Sequence, residues 1–352
     1  MIETLKVQLT ENSRLPSVNF DELVFGRTFS DHMFVADYYD GQWQDERIVP
    51  FAELSLSPAT ISLHYGQSVF EGMKAEKGAD GKVILFRPAL NAERLNVSAK
   101  RMSMPTYPVD RFIEHLSELV NIDRNWIPTK EGCSLYIRPI LFASDNFIGV
   151  QTAQSYKLII FTAPVGAYYS EPVSVKIEEE YVRAFTGGTG FAKAAGNYAP
   201  TLLPAKLAKE QGFDQILWTD GETHEYVQEI GTMNVFFIIN GVAVTPNLDG
   251  NILEGTTRDT VIHLLKDQGV KIQERPLAIK EILEAHEAGT LQDAFGVGTA
   301  ASIIHIKSIG KGENIITLPE LEDRKLSVDL KAKMIRLKRG QEEDVYGWTI
   351  KV

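Results

Sequence analysis

The segment GGTGFAKAAGNYAP, residues 187–200, places one lysine, Lys193, among small residues with glycines on both sides. Lysine is a long, charged side chain that is normally left in water. Small neighbours allow other groups to approach its amine, and glycines allow the backbone to bend sharply beside a planar molecule. Taken alone, the segment is also compatible with a glycine-rich surface loop that carries an incidental lysine. A dinucleotide-binding loop is less favoured, because the third glycine of a GxGxxG pattern is not in its place and no βαβ unit follows.

The composition is that of a globular protein. The 352 residues are 44% hydrophobic and 24% charged, a length that corresponds to about two domains. The net charge of −11, with scattered basic residues, predicts neither a nucleic-acid partner nor an anionic membrane. No apolar stretch approaches the roughly 20 residues needed to span a bilayer. The single cysteine, Cys133, and an acidic beginning without signal-peptide features predict a cytoplasmic protein.

The seven histidines have no metal-ligand spacing, so no metal site is expected. Strand and helix patterns are mixed along the whole chain, without a strict βαβ repeat. Amphipathic or capped segments predict helices at 91–102, 109–122, 255–269, 279–289 and 329–340. Apolar, β-branched runs predict strands at 134–142, 156–164 and 214–220, and Asn240-Gly241 predicts a hairpin turn. This mixture predicts an α/β protein with mixed sheets of the α+β type rather than one doubly wound parallel sheet.

The stretch PVGAYYSEP, residues 164–172, is predicted to connect the domains, because it has two prolines and a glycine and follows a predicted strand. We therefore predict a smaller N-terminal α/β domain over residues 1–165, an interdomain loop over 166–177, and a larger C-terminal α/β domain over 178–352.

The lysine has a chemical interpretation as well as a structural one. A lysine amine becomes a nucleophile when it is neutral, and it can be held as a Schiff base. Pyridoxal phosphate (PLP) is the cofactor for which lysine is the standard attachment. PLP needs an acidic partner for its pyridine nitrogen and a hydrogen bond to its phenolic oxygen. Its phosphate needs backbone N–H groups, hydroxyls and an arginine.

Several sequence blocks resemble one family of PLP enzymes. The block KAAGNYAP at 193–200, followed by EIGTMNVFF at 229–237, resembles the fold-type IV enzymes, the class IV aminotransferases. Further blocks narrow the resemblance to the branched-chain amino acid aminotransferases: LHYGQSVFEGMKA (63–75), LFRPALNAERL (85–95), SLYIRPIL (134–141), PVGAYY (164–169), ILEGTTRD (252–259) and FGVGTAA (295–301). The resemblance runs from about residue 30 to the C-terminus. It implies the two-domain, D-amino acid aminotransferase-like fold, with PLP bound between the domains.

The resemblance assigns three residues to the ring of PLP. Lys193 would hold the cofactor through its amine and, once released, move the α-proton of the substrate. Tyr198 would face the phenolic oxygen. Glu229 would face the pyridine nitrogen and keep it protonated, as an acidic partner must. Glu225, on the preceding stretch, is the competing assignment, but the spacing to the TMN motif favours Glu229.

The phosphate needs several donors. Thr256 and Thr257 follow Gly255 at the start of a predicted helix, where N–H groups and the helix dipole favour an anion. The resemblance adds Thr299 as a third contact. Arg94 would supply the forked guanidinium, and Arg87 in the LFRP motif is its rival.

The substrate side is expected to be apolar with a few polar groups. Tyr136 and Arg138 are two apart on a predicted strand and so point to the same face. The resemblance implies that these two residues and Tyr65 lie near the substrate carboxylate and the pocket walls. It also implies the other substrate residues: Phe70 and Tyr168 as aromatic walls, Thr232 and the Ala300 backbone as carboxylate donors, and Val150, in the loop 144–152, as a residue that enters the partner subunit's site.

These assignments imply a homodimeric enzyme with small-molecule substrates. It would transaminate leucine, isoleucine and valine with 2-oxoglutarate by a ping-pong mechanism, giving branched-chain 2-oxo acids and glutamate. Overlapping activity on the three donors is expected, because a hydrophobic pocket distinguishes one methylene by only about 1–3 kcal/mol. The alternatives are a D-amino acid transaminase or aminodeoxychorismate lyase of the same fold, or a catalytically silent PLP-binding protein.

Overall fold

The computed structural model describes residues 5–78, 80–166, 171–300 and 302–352. In chain order, its strands and helices are β1 (Lys6–Val7), β2 (His32–Tyr39), β3 (Gln42–Pro50), α1 (Ile61–Tyr65), β4 (Ser68–Phe70), β5 (Met73–Lys77), β6 (Val83–Phe86), α2 (Pro88–Arg101), α3 (Val109–Ile122), β7 (Ser134–Ala143), β8 (Tyr156–Val165), β9 (Val173–Ile177), α4 (Leu202–Glu210), β10 (Gln215–Thr219), β11 (Val227–Ile230), β12 (Asn234–Ile239), β13 (Val242–Thr245), α5 (Thr256–Asp267), β14 (Ile272–Glu274), α6 (Ile279–Glu287), β15 (Leu291–Gly298), β16 (Ser302–Lys311), β17 (Asn314–Thr317), α7 (Lys325–Lys338) and β18 (Thr349–Lys351).

The chain divides into two compact units that are not contiguous in sequence. The first unit comprises Met1–Tyr168, Ala192–Gly196 and Arg336–Val352, and the second comprises Tyr169–Phe191 and Asn197–Ile335. This division differs from the single N-terminal and C-terminal domains expected from the sequence, because two short segments that follow residue 178 belong to the first unit.

The predicted interdomain loop over 166–177 is wrong in its second half. Residues Val173–Ile177 form strand β9, which pairs in parallel with both β10 and β16. The proline and glycine residues that suggested a loop precede this strand. The strand itself alternates valine and isoleucine with polar residues, and its partners are distant in sequence.

The first unit contains a sheet of nine strands among the described residues. Its order is β1-β3-β2-β8-β7-β5-β6-β18, with β4 paired to β7. The pairs are antiparallel except β1 with β3. Helix α2 packs against α3 and β4, and α3 packs against β2. The predicted apolar stripe of α3 is confirmed, since Phe112, Leu116, Leu119 and Val120 are all buried.

The second unit contains a mixed sheet, again with nine strands in the described part of the chain. Its order is β11-β10-β9-β16-β15-β12-β13-β14, with β17 paired to β16. Strand β9 pairs in parallel with both neighbours and β13 pairs in parallel with β14, whereas the other pairs are antiparallel. Asn240 and Gly241 join β12 to β13 with φ of 50° and 73°, as the predicted hairpin turn requires. The mixed sheets confirm the predicted fold class.

Two predicted helices of the second unit begin and end close to the expected residues. Helix α5 covers Thr256–Asp267 and α6 covers Ile279–Glu287. Gly269 and Gly289 follow them with φ of 73° and 67°, the left-handed conformation that glycine adopts without steric cost. The sequence stop signals therefore coincide with the observed helix ends. No helix in the described ranges combines the length and the apolar character needed to cross a lipid bilayer.

Candidate active site

Lys193 is held by the first unit through its backbone. Its N–H donates to Oγ of Ser98 at 2.9 Å, and its carbonyl accepts the N–H of Phe70 at 3.1 Å. The next residue, Ala194, forms an antiparallel bridge with Val69 of β4. The amine Nζ lies 5.0 Å from the centre of the Phe70 ring. These contacts argue against an incidental surface loop, because the lysine segment is attached to β4 and α2.

A buried ion pair lies next to this segment. Arg94 on α2 donates from Nε to Oε1 of Glu71 at 2.7 Å and from Nη2 to Oε2 at 2.9 Å. Nδ2 of Asn91 and the N–H of Gly72 also donate to Oε2, at 2.8 and 3.1 Å. Burial alone would raise the pKa of Glu71, but Arg94, Lys193 and Asn91 together hold that pKa below its usual range. The first unit therefore keeps a negative charge beside the lysine and orients the guanidinium of Arg94.

The rival arginine, Arg87, has a different environment. Its guanidinium lies 4.5 Å from the centre of the Trp348 ring, and its N–H donates to the Trp348 carbonyl at 2.7 Å. Arg87 thus anchors the C-terminal segment of the first unit. Arg94, whose partner Glu71 directly follows Phe70, is the arginine beside Lys193.

Phe70, Tyr136 and Arg138 form one cluster in the first unit. Nη2 of Arg138 donates to the Tyr136 hydroxyl at 3.1 Å, so the two side chains share a face of β7 as predicted. The Arg138 guanidinium lies 4.8 Å from the Phe70 ring centre and 5.4 Å from that of Tyr136. Gly72 leaves the space for the tyrosine, because a Cβ at residue 72 would collide with the Tyr136 hydroxyl. The Phe70 ring therefore contacts both the amine of Lys193 and the guanidinium of Arg138.

Two other predicted substrate residues, Tyr65 and Val150, have no contact with this cluster among those described. Tyr65 ends α1 and is 42% exposed, and Val150 is 88% exposed. Tyr168 lies outside the described residues. The roles assigned to these three residues remain predictions.

In the second unit, Glu229 is a buried carboxylate at a small cavity. It lies on β11 and is 2% exposed. Its Oε1 accepts the N–H of Leu253 at 2.8 Å and lies 3.3 Å from Nη2 of Arg183. Tyr198, Thr232 and Glu229 line the same cavity, together with Arg183. The structure therefore brings three predicted site residues of this unit together.

The competing residue Glu225 does not share this environment. Glu225 is exposed, and its N–H donates to Oδ2 of Asp220 at 3.0 Å in the turn that precedes β11. Burial and the cavity therefore both favour Glu229.

In the described ranges, no group of three or more His, Cys, Asp or Glu side chains is placed to hold a metal ion.

Helix α5 presents an N-terminus without a side-chain cap. Gly255 is its N-cap residue, Thr256 is half-buried and Thr257 is buried. The first N–H groups of a helix have no acceptor within the helix and can donate hydrogen bonds to an anion. Asn234 supports the loop before the helix, because its Nδ2 donates to the Leu253 carbonyl at 2.8 Å and its Oδ1 lies where a Cβ of residue 255 would be.

Thr299 and Ala300 follow β15 and are half-buried. Gly298, just before them, packs closely on the residue after Thr232, since a Cβ at 298 would lie 3.0 Å from Cγ of Met233. Asn234 pairs with Val297 in the same ladder. The predicted residues Thr232, Thr299 and Ala300 thus lie on neighbouring turns of the second unit.

The glycines before Lys193 have a packing role in the second unit. A Cβ at Gly190 would lie 2.8 Å from the carbonyl carbon of Asn251 and 2.5 Å from Cβ of Ala184. A Cβ at Gly188 would lie 2.9 Å from the Phe185 carbonyl oxygen, and Gly187 has a φ of 80°. These glycines permit close approach of the backbone to its neighbours within the unit.

Three residues of these sites have no role predicted from the sequence: Glu71, Arg183 and Asn234. Glu71 and Asn234 lie inside blocks that carry the family resemblance, FEG and TMN, so attention to those blocks could have found them. Arg183 precedes the quoted lysine segment and belongs to no motif. Its contact with Glu229 joins residues far apart in the chain, and no local pattern predicts it.

Comparison with known proteins identifies the class. Residues 68–309 match the family model described as Amino-transferase class IV, so the chain belongs to the class IV aminotransferases. It is also 46% identical over 354 residues to branched-chain-amino-acid aminotransferase 2 of Bacillus subtilis (strain 168), covering 99% of this chain and 97% of that protein. The chain therefore belongs, within its class, to the branched-chain-amino-acid aminotransferases.

Solved structures agree with this assignment. The branched-chain aminotransferase from Thermoproteus uzoniensis, solved with norvaline, has a TM-score of 0.75 at 28% identity and covers 91% of this chain and 99% of its own. The PLP form of the Thermobaculum terrenum branched-chain amino acid aminotransferase has a TM-score of 0.73 at 25% identity, with 90% and 97% covered. The predicted fold-type IV architecture is confirmed, and the alternative enzymes of the same fold are not favoured.

Proposed function

We propose that this enzyme transfers the amino group of leucine, isoleucine or valine reversibly to 2-oxoglutarate, with PLP as its cofactor and a ping-pong cycle. The products are branched-chain 2-oxo acids and glutamate. The observation that carries this proposal is the buried carboxylate of Glu229, which lines a cavity together with Tyr198 in the second unit. The first unit separately anchors Lys193 through its backbone. Family membership supports the same reaction.

The donor set fits the chemistry of PLP. A buried carboxylate suits a protonated pyridine nitrogen, because opposite charges at an effective dielectric near 20 attract by about 4 kcal/mol at 4 Å. A phenol suits the phenolic oxygen. An uncapped helix N-terminus with two threonines suits a phosphate, as does the oriented guanidinium of Arg94. Each functional group of the cofactor therefore has a partner of the required kind.

Each residue has a distinct role in this proposal. The cofactor, when bound, supplies an electron sink for the bond broken at the substrate Cα. Lys193 would hold the cofactor through Nζ and, once released, would accept the proton from the substrate Cα. Tyr198 would donate a hydrogen bond to the phenolic oxygen of the cofactor, and Glu229 would keep the ring nitrogen protonated. The residues that would hold the phosphate are Arg94, Thr256, Thr257 and Thr299.

We assign the substrate to the cluster around Phe70. The aromatic ring offers an apolar wall to the branched side chain, and Tyr136 and Arg138 add polar groups on the same face. A wall of this kind accepts leucine, isoleucine and valine alike, since one methylene changes the binding free energy by only about 1–3 kcal/mol. Thr232 and the Ala300 backbone would bind the substrate carboxylate, and Tyr65 and Tyr168 would complete the pocket.

We further propose a cytoplasmic homodimer. Ile148 and Val150 are apolar side chains that are 74% and 88% exposed, and burial in a partner would remove both from water. Cys133 is buried and forms no disulfide, as suits a reducing compartment. Light scattering after size exclusion measures the mass directly. A monomer at working concentration would contradict the dimer, and Val150→Asp is expected to shift the equilibrium toward monomer.

The central test uses the visible spectrum and leucine turnover. Purified protein mixed with PLP is expected to bind it with a visible absorbance that changes when L-leucine is added. Lys193→Ala should lose that absorbance and lower kcat by about a thousandfold or more. Lys206→Ala, at an exposed position of α4, is the matched control and should behave as wild type. Wild-type turnover by Lys193→Ala would overturn the proposal, and activity on D-alanine in place of L-leucine would favour the alternative transaminase.

A further inference from the structure

We infer that Arg183 is a positioning residue for Glu229, an inference that rests on the proposed function. Arg183 lies in the second unit, and its side chain is 8% exposed. Its Nη2 lies 3.3 Å from Oε1 of Glu229. The same nitrogen donates to the backbone carbonyl of Asn251 and, at 3.4 Å, to that of Gly190. One guanidinium therefore joins three separate segments of the chain.

Each of these segments carries part of the proposed site. Glu229 is the partner assigned to the pyridine nitrogen. Gly190 lies three residues before Lys193 in sequence. Asn251 begins the loop that leads through Leu253, whose N–H donates to Glu229, to the N-terminus of α5. A change at Arg183 would therefore disturb all three segments at once.

The contacts fix the carboxylate of Glu229 from one side. Oε1 of Glu229 lies 3.3 Å from Nη2 of Arg183 and accepts the N–H of Leu253 at 2.8 Å. Glu229 also lines the cavity. The N–H of Leu253 and the neighbouring guanidinium of Arg183 hold this carboxylate at the cavity and balance its buried charge.

Lysine cannot reproduce this arrangement. A guanidinium is planar, always charged and weakly hydrated, and it can donate to several acceptors in fixed directions. An ammonium is a compact, strongly hydrated point charge on a flexible stem. Arg183→Lys keeps the positive charge but loses the directed contacts, so it tests the geometry rather than the charge alone.

A second buried arginine of the same unit provides a matched control. Arg324 donates from Nη1 to the Ile306 carbonyl at 2.7 Å and from Nε to the Pro319 carbonyl at 2.6 Å. Its Nη1 lies 3.5 Å from Oδ1 of Asp293. Arg324 thus combines one carboxylate and two backbone carbonyls, as Arg183 does, but it does not contact Glu229. Arg324→Lys measures what the loss of a buried guanidinium does to the fold alone.

The experiment measures cofactor binding rather than turnover. Apo-forms of wild type, Arg183→Lys, Arg324→Lys and Glu229→Gln are titrated with PLP and with its 1-deaza analogue, in which C–H replaces the ring nitrogen. Arg183→Lys is expected to weaken PLP binding by about 3- to 100-fold, the range of coupling between residues in contact. Arg324→Lys should lower the unfolding midpoint but change PLP affinity less than about twofold. If Arg183→Lys does not fold, Arg183→Met, which is close in volume, takes its place with the same expected result.

The inference requires that Arg183 act through Glu229. The loss caused by Arg183→Lys should therefore shrink to about twofold or less with the deaza analogue, and also in the Glu229→Gln background. PLP binding equal to wild type would overturn the inference, and so would an equal loss for both cofactors in both backgrounds. If the wild type transaminates leucine while Arg183→Lys binds PLP normally, only this inference fails. If the wild type binds no PLP, the proposed function fails first.

Discussion

Arg94 and Glu71 are joined by two parallel hydrogen bonds inside the first unit, Nε to Oε1 at 2.7 Å and Nη2 to Oε2 at 2.9 Å. Such a two-point contact fixes the plane of the guanidinium as well as its position. The arginine proposed to hold the phosphate is thus oriented by the protein itself. The carboxylate that orients it is fully buried, and its pKa is lowered mainly by that same arginine against the opposing effect of burial.

The first prediction concerns this pair. Glu71→Gln removes one partner of a buried ion pair and leaves the Arg94 charge uncompensated, which typically costs about 3 kcal/mol or more. Urea unfolding of the apo-protein at pH 7 should show that loss. The pKa of Glu71 is lower in the folded protein than its value of 4.5 in the unfolded chain. Its ionised form therefore adds to the free energy of unfolding above pH 4.5, and this stabilisation is lost as the pH falls through the folded pKa. The exposed pair of Asp45 with Lys6 gives the control, and Asp45→Asn should change nothing measurable.

A second prediction separates the two candidate carboxylates for the ring nitrogen. Glu229→Gln removes the charge that would keep that nitrogen protonated, so kcat for leucine should fall by about a hundredfold or more. Glu225→Gln, at the exposed position before β11, should leave kcat and PLP affinity unchanged. Steady-state kinetics with leucine and 2-oxoglutarate measures both variants. Equal losses of kcat in the two variants would contradict the assignment of Glu229 to the ring nitrogen, and a larger loss in Glu225→Gln would favour Glu225.

Two glycines that flank Lys193 are expected to respond differently to an added methyl group. Gly190→Ala would press a Cβ against the Asn251 carbonyl carbon at 2.8 Å, and overpacking of this kind costs about 1–3 kcal/mol. Gly196→Ala meets nothing within 4 Å and should be nearly neutral. Thermal unfolding of the two apo-variants compares them directly. Equal stability of both would show that the backbone at 190 can move away at little cost.

The pH dependence of stability should include a contribution from His305. Burial, with smaller effects of the Lys331 and Arg324 charges, lowers the pKa of His305 from 6.5 to about 4. The unfolded chain therefore binds a proton as the pH falls below about 6.5, while the folded protein does not until about pH 4. The free energy of unfolding should decrease across this interval, by about 3 kcal/mol in total from this one group. Denaturant unfolding of wild type and His305→Gln between pH 7.5 and 4 should give curves that converge toward acid pH; parallel curves would rule the effect out.

Much of the fold follows from local patterns. The apolar stripe of α3, the glycines after α5 and α6, and the Asn240-Gly241 turn each act within a few residues, so the sequence predicted them. Strand β9 was missed because its pairing with β10 and β16 is non-local and the prolines before it suggested a loop. The assignment of segments to units was missed for the same reason, since it depends on distant contacts.

The site residues also differ in whether local sequence predicts them. Lys193, Glu229 and the threonines of α5 lie in motifs and could be proposed from the sequence. Glu71 and Arg183 act by pairing with a residue from another element, and the chemistry of an arginine or a glutamate does not reveal its partner. Val150 and Tyr65 stay predictions, because the function assigned to Val150 needs a second subunit and Tyr65 is exposed in the single chain.

The lysine segment Ala192–Gly196 and the C-terminal strand β18 both belong to the first unit, although the chain reaches them only after entering the second. Ala194 bridges to Val69, and β18 extends the first sheet by pairing with β6. A fragment ending at residue 168 would therefore lack both the edge strand β18 and Lys193, the lysine proposed to bind the cofactor. A chimaera made with a relative by a single exchange at residue 168 would take the two sides of these contacts, Val69 with Ala194 and β6 with β18, from different parents. A chimaera that preserves them must inherit residues 192–196 and 336–352 from the same parent as the N-terminal half.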